Sequence, residues 1–401
     1  MNKSGVLSPK GFTGAAVHCG IKTLSKAPDL AVIFSEVPAT AAAAFTTNKV
    51  CAPPVRLGRR HVRNGTLQAI VVNSGNANAC TGKHGMHDAD EMARLTGKML
   101  GIPKGNVLVA STGIIGHLLP LWLVHDGLHR ITDHLRSDAK TDRSIAQAIC
   151  TTDTFPKMCA MKVRLGGKVV TVGGIAKGAG MISPNMATML GFVTSDAAIS
   201  APLLKAAVKE AAGRSFNKIT VDGHTSTNDT FAVLANGMAG NKKVDKKDAE
   251  FRRFAGALGA VATELAQMIV LDGEGATKFV EITVRGTKTE SDADTIARAI
   301  ANSPLVKTAL NGCDPNWGRI MSAAGYAGAA LQEDKAELRI GDIRIFANGL
   351  PVKTDKAKLA RVMKKKEIVI DLNCKIGKEA ATIWTCDLSH DYITINAEYH
   401  T

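Results

Sequence analysis

Residues Gly173 to Phe192 read GGIAKGAGMISPNMATMLGF, and this stretch decides how the rest of the chain is understood. Its apolar residues keep neither the two-residue period of a half-buried strand nor the 3.6-residue period of a helix. The glycines permit close backbone approach, and Pro184 holds Ser183 extended, so the stretch reads as a shaped loop feeding a buried strand. Three readings are open. A phosphate cradle needs the order G-x-x-x-x-G-K-[ST], which is missing here because Lys177 comes ahead of the Gly178 and Gly180 turn. A tight packing loop is the plain structural reading. The third makes Thr188 a self-processed nucleophile: a Thr hydroxyl needs a base beside it, and cleavage before Thr188 would supply one as the α-amine of the same residue. That amine has a reference pKa of about 7.7–8.0, so part of it is neutral and able to accept the hydroxyl proton. The small Ala187 leaves its carbonyl carbon open to attack from Thr188.

Outward from this segment, strand-length apolar runs alternate with helical-period stretches and no fixed repeat, which gives a mixed α+β protein. Strands are expected at Leu30–Phe34, Leu67–Val72, Val107–Ala110, in a hairpin from Met161 to Val172 turning at Gly166-Gly167, and at Lys218–Val221. Later strands fall at Phe279–Val284, in a hairpin around Gly341-Asp342, at Ile368–Leu372 and at Thr382–Asp387. Helices are expected at His87–Met99, Leu119–Leu135, Ala201–Ala212, Ala249–Met268, Ser291–Ala301 and Asp355–Lys364. The Gly-rich turn LDGEGATK, Leu271 to Lys278, marks a junction between a large lobe, 1–280, and a smaller α+β C-terminal lobe, 281–401.

The chain has 401 residues, 45% hydrophobic and 21% charged, which excludes disorder, collagen-like repeats and coiled coil. Its formal charge of +14 raises the question of a polyanion partner. The dense basic runs, NKKVDKKD from Asn241 and KTDKAKLARVMKKK from Lys353, read instead as solvated faces, the second a helix with Leu359 and Val362 turned inward. Aromatics are only 4%, too few for a base-stacking surface, so no nucleic-acid partner is expected. The eight cysteines show neither C-x-x-C nor zinc spacing and read as reduced thiols; no metal and no cofactor are expected. With no signal-like h-region and no run of about 20 apolar residues, the expectation is a cytoplasmic protein without a membrane span.

The segment KGAGMISPNMATML resembles the cleavage and nucleophile motif of the ornithine acetyltransferase family, the bifunctional glutamate N-acetyltransferases of arginine biosynthesis. The resemblance continues through PATAAAAFTTNKV, VVNSGNANACTG, VLVASTGIIG, TTDTFPK, TVDGHTSTNDT, LDGEGATK, ANSPLVKTAL, DPNWGRI and CDLSHDYITINAEYHT, in the family's order and over nearly the whole chain. It implies a layered sheet-and-helix fold of the N-terminal-nucleophile kind, and self-cleavage between Ala187 and Thr188 into chains 1–187 and 188–401. Two copies of each would form a heterotetramer. It also implies that Thr188 carries the acetyl group and that Thr112 and Gly113 form the oxyanion hole. Thr151, Lys177, Thr188, Glu274, Asn396 and Thr401 would contact substrate; a Lys and a Glu suit an amino acid bearing both charges. The implied reaction moves acetyl from N-acetylornithine to glutamate, with acetyl-CoA as a second candidate donor and no separate CoA module in the chain. The competing enzyme reading is a related N-terminal-nucleophile amidase or aminopeptidase. Two positions depart from the pattern: His224, where an acidic residue is expected, and Cys313 before Asp314. Asp222, Asn228 and Asp229 share a polar loop suited to orienting catalytic groups, but the sequence alone does not place them.

Overall fold

A computed structural model describes residues 4–23, 25–183 and 189–398. The chain divides into two compact units, Met1–Asn217 with Thr225–Ile269, and Lys218–His224 with Val270–His400. The second unit thus begins ahead of residue 281 and also takes a short segment from the middle of the sequence.

In the first unit the order is β1 (Phe12–Val17), β2 (Leu30–Phe45), α1 (Pro53–His61), β3 (Thr66–Asn76), α2 (Gly82–Leu100), β4 (Val107–Ile114), α3 (Leu121–Thr132) and α4 (Ala139–Ala148). There follow β5 (Lys157–Leu165), β6 (Lys168–Lys177), β7 (Leu190–Ser195), α5 (Ala201–Arg214), β8 (Thr230–Ala235) and α6 (Ala249–Leu271). The strands hydrogen-bond in the order β4-β3-β2-β8-β7-β6-β5, with β1 also on β2. Strand β2 is shared: Leu30–Phe34 pair with β3, and after an irregularity Thr40–Phe45 pair with β8.

Alternation along the strands explains the layers, since successive side chains point to opposite faces. Ile33, Ile70, Val72, Leu108 and Ala110 from one half of the sheet share a core cluster with Ile175, Leu190, Phe192, Ala232 and Leu234 from the other half. The two halves therefore face each other across an apolar layer. The intervening residues Val32, Ala69, Val71, Val107 and Val109 turn the other way, onto Ala89, Met92 and Ala93 of α2 and Val124, Leu128 and Ile131 of α3. On the far side, Val261 and Leu265 of α6 close over Gly174 of β6. The result is helix, sheet, sheet, helix. Strand β7, fed by the Gly-rich loop, is buried throughout; burying a side chain such as Phe192 contributes about 1.5–3 kcal/mol.

One expectation needs correction. Lys218–Val221 is not a strand: a short 3-10 turn covers Phe216–Lys218, and Ile219 makes only an isolated bridge to Trp384. Helix α6 is long and apolar enough, by length and composition, to cross a membrane. Its apolar character has a local cause, because Phe254, Leu258, Ala262, Leu265 and Ile269 are buried against the protein's own core. Several elements carried too weak a local pattern to be read, among them β1, α1, α4 and β8. All eight cysteines are free, and burial raises the pKa of the Cys19 and Cys150 thiols to about 12.

The second unit contains β9 (Phe279–Thr287), α7 (Glu290–Asn302), α8 (Pro304–Asn311), α9 (Trp317–Gly325), β10 (Glu337–Ile340), β11 (Ile343–Ala347) and β12 (Leu350–Pro351). It ends with α10 (Lys356–Met363), β13 (Glu367–Asn373), β14 (Glu379–Cys386) and α11 (His390–Glu398). Its sheet runs β12-β11-β10-β13-β9-β14, with β9 parallel to β13. Val280, Ile282 and Val284 alternate inward with Ile368, Ile370 and Leu372 onto Ile296 and Ile300 of α7. Thr289 caps α7 through the Asp292 N–H, and Asp355 caps α10 through Ala357 and Lys358, each satisfying donors left free at a helix start. On α10, Leu359 is buried while Lys356 and Lys358 stay exposed, as the basic run suggests.

Candidate active site

The end of β4 carries Ser111, Thr112 and Gly113, packed against the end of parallel β3, with Ser74 beside Thr112 and Gly75 beside Gly113. The approach is so close that a Cβ on Gly113 would lie 2.3 Å from the Gly75 carbonyl carbon, and Gly113 has φ +130°. Only glycine fits such a position. Beside this corner, the Asp29 carboxylate accepts the N–H groups of Cys19, Gly20 and Lys22 at 2.6, 3.0 and 3.0 Å, which shapes the bend at Gly20–Lys22. Burial lowers the pKa of the Lys22 ammonium, whose Nζ donates to the Pro28 carbonyl at 3.1 Å.

The loop before β8 ties this corner to β7. Asn228 Nδ2 donates to the carbonyls of Ala77 at 2.6 Å and Ser111 at 2.9 Å, fixing the residue that precedes Thr112. The next residue, Asp229, lies beside Met189: Thr230 N donates to the Met189 carbonyl at 2.9 Å, and Leu190 pairs with Thr230. Across the other edge of β7, Leu190 pairs with Lys177. Asp229 is buried, and among the described residues its Oδ2 has no hydrogen-bond partner. Burial pushes its carboxyl well above the usual range, against the opposing effects of Ser226, Lys177, Thr46 and the Met189 N–H. A carboxyl group whose ionisation burial disfavours thus stands next to Met189, the residue that follows Thr188.

Lys177, half-buried at the end of β6, donates from Nζ to Thr151 Oγ1 at 3.2 Å. Between the backbones of these two segments sits the side chain of Asp153, without exposed surface and paired with the buried Lys157 at 2.6 Å.

In the second unit, Asn396 Nδ2 on α11 donates to Glu274 Oε2 at 2.8 Å and to the Tyr392 carbonyl at 2.9 Å. The LDGEG turn is held by Ser389 Oγ, which donates to the Gly275 carbonyl, and by Asp387, which accepts the Thr277 and Lys278 N–H groups. The Tyr392 hydroxyl reaches Asp222 Oδ2 at 3.4 Å; burial first, then the Asp222 and Glu274 charges, push its pKa up. His224 is exposed, with its N–H on Asp222 Oδ1. Cys313 has φ +55° and lies 3.4 Å from Lys278 Nζ.

The sequence model of the ArgJ family matches residues 13–401, nearly the whole chain. The chain belongs to the ArgJ family. It is 50% identical over 398 residues to the arginine biosynthesis bifunctional protein ArgJ of Symbiobacterium thermophilum, covering 99% of this chain and 98% of that one. To the Geobacter sulfurreducens protein of the same name it is 48% identical, covering 98% and 100%. A crystal structure of the Bacillus halodurans ArgJ protein aligns with TM-score 0.51 at 38% identity, covering 53% of this chain and all of that one. As an ArgJ-family member the chain is an enzyme, an acyltransferase of arginine biosynthesis.

Of the positions that the sequence singles out in this ArgJ-family chain, the structure brings Thr151 to Lys177 and Asn396 to Glu274, and sets Thr112 and Gly113 at one strand end. Ala187, Thr188 and Thr401 lie outside the described residues. Of two carboxyl groups with buried side chains next to these positions, the sequence did not single out Asp153 and named Asp229 without placing it. For Asp153 the available signal was the i, i+4 spacing to Lys157 inside TTDTFPK. For Asp229 there was none beyond its place in a polar loop. Among the described residues no group of three or more His, Cys, Asp or Glu side chains is disposed to hold a metal ion.

Proposed function

We propose that this ArgJ-family enzyme is a glutamate N-acetyltransferase that takes acetyl from N-acetylornithine and holds it as an ester on Thr188. Maturation comes first: Thr188 Oγ attacks the Ala187 carbonyl carbon, the peptide shifts to an ester, and water releases chains 1–187 and 188–401. In the transfer, Oγ attacks the acetyl carbonyl of N-acetylornithine while the Thr188 α-amine takes its proton. The Thr112 hydroxyl and Gly113 N–H hold the oxyanion, and the C–N bond breaks as the proton passes to departing ornithine. The glutamate α-amine then attacks the ester and leaves as N-acetylglutamate, with the proton returned to Thr188 Oγ. Lys177 and Thr151 suit the substrate carboxylate, and Glu274 with Asn396 suits an amine.

The observation that carries this reading is the convergence on the start of β7. Leu190 is flanked by Lys177 and Thr230, and Asn228, two residues before Thr230, holds the carbonyl of Ser111 ahead of Thr112. Burial disfavours ionisation of Asp229, and a group that resists carrying negative charge raises the basicity of nearby amines less than an ionised one would. Assembly is proposed as two chains of each kind, working in the cytoplasm with small-molecule substrates only. Intact-mass measurement tests the scheme. N-acetylornithine alone should add one acetyl mass to the 188–401 chain, and glutamate should discharge it; acetyl-CoA in place of N-acetylornithine tests the second donor. Intersecting-line kinetics with no acetylated chain would refute the covalent route, and discharge by water at the same rate would favour an amidase.

A further inference from the structure

The Asp153–Lys157 pair is a charge cluster the proposed reaction does not use. Both side chains have no exposed surface, and such a pair contributes little net stability, because desolvation offsets its attraction. Its geometry points to another use. Asp153 Oδ1 accepts from Lys157 Nζ at 2.6 Å and from Gly178 N at 2.7 Å, and Oδ2 accepts from Thr151 N at 2.9 Å. One carboxylate therefore clasps the loop after α4 and the end of β6 together. The residues at the clasp are Thr151 itself and Gly178, the neighbour of Lys177, whose ammonium reaches Thr151 Oγ1. Every partner is a donor, so only an ionised carboxylate satisfies them all. Burial works against ionisation, but Lys157, then Lys177 and the Gly178 N–H, outweigh it and hold Asp153 below the ordinary carboxylate range.

We propose that Asp153 is a positioning residue that fixes Thr151 and Lys177 as a single recognition element for the carboxylate shared by donor and acceptor amino acids. The proposal rests on the function given above. An ammonium and a hydroxyl 3.2 Å apart match the two oxygens of one carboxylate, and both substrates present that group in the same pocket. Displacing the pair weakens both substrates together while leaving the reacting centre at Thr188 in place.

The test is D153N, which keeps the size but turns an amide N–H₂ toward groups that only donate. The companion variant D153N/K157M removes the ammonium that D153N strands in the core. Losing a hydrogen bond to a charged group at this point should raise KM for N-acetylornithine and for glutamate by about tenfold each, with kcat changed by less than about threefold. The double variant should regain thermal stability and keep the raised KM values. Peptide-level hydrogen exchange in the same variants should accelerate at 150–154 and 177–183 and stay unchanged elsewhere in the sheet, a result independent of turnover. The proposal is overturned if both KM values stay at wild type, if only one rises, if K157M restores them, or if exchange at those two segments does not change. Absence of acetyl transfer by the wild-type enzyme refutes the function itself, and the exchange measurement then still decides the role of Asp153.

Discussion

Replacing Gly113 by alanine puts the strand packing and the oxyanion role to one test. The new Cβ would lie 2.3 Å from the Gly75 carbonyl carbon, 2.6 Å from Asn76 N and 2.7 Å from Gly75 Cα, all backbone atoms that no rotamer change can move. Real Cβ contacts are longer than 3.0 Å, so β3 and β4 must separate at the end that carries Thr112. Alanine at φ +130° adds strain of roughly 1–3 kcal/mol, and forced overpacking costs about 1–3 kcal/mol more. The sum, about 2–6 kcal/mol, lowers Tm by roughly 4–24 °C at about 2–4 °C per kcal/mol. The displaced N–H should also slow the acyl-transfer step by about 10²–10³-fold, the usual cost of one oxyanion donor. Gly105→Ala is the control, since its Cβ would meet nothing within 4 Å and it has no positive φ. Calorimetry reports the stability change, and single-turnover acetylation of the 188–401 chain, per folded molecule, reports the chemistry. A wild-type Tm for G113A would refute the packing argument. A lowered Tm with undiminished acetylation would refute the oxyanion role.

Thr188→Ala should stay one full-length chain by intact mass and Thr188→Ser should still cut; equal cleavage of the alanine variant would point to another nucleophile. Thr112→Ala should lower kcat by about 10²–10³-fold with a much smaller change in KM, which steady-state kinetics checks. Asp229→Asn should change the pH dependence of stability. Burial raises the folded-state pKa of Asp229 above its unfolded value near 3.9, so the native state holds the proton longer and wild-type stability falls as pH rises from about 4 toward that folded pKa. The asparagine variant lacks this slope and should gain Tm relative to wild type at pH 8 compared with pH 4. A difference independent of pH, or reversed, would refute the buried-acid assignment.

The sequence by itself determined whatever depends on neighbours along the chain. Strand-length apolar runs marked the cores of β3, β4, β9 and β13, and helical period marked α2, α5 and α7. The stretch around Thr188 announced a loop entering a buried strand, and β7 is that strand. The same local logic failed at Lys218–Val221, where an apolar run lacks a ladder partner. It also left Thr151, Lys177, Glu274 and Asn396 as separate positions, each equally readable as a surface group or a cap. Only the tertiary structure decided their pairing. Asn228 reaches Ala77 and Ser111 across 151 and 117 residues of chain, and Asp153 reaches Gly178 across 25. No local period encodes such partners, because they follow from strand order and register. The opposite pKa shifts of Asp229 and Asp153 were likewise set by tertiary structure: two aspartates alike in sequence are pushed in opposite directions because Asp153 is paired with the Lys157 ammonium, whereas for Asp229 burial outweighs its hydrogen bonds and the Lys177 charge.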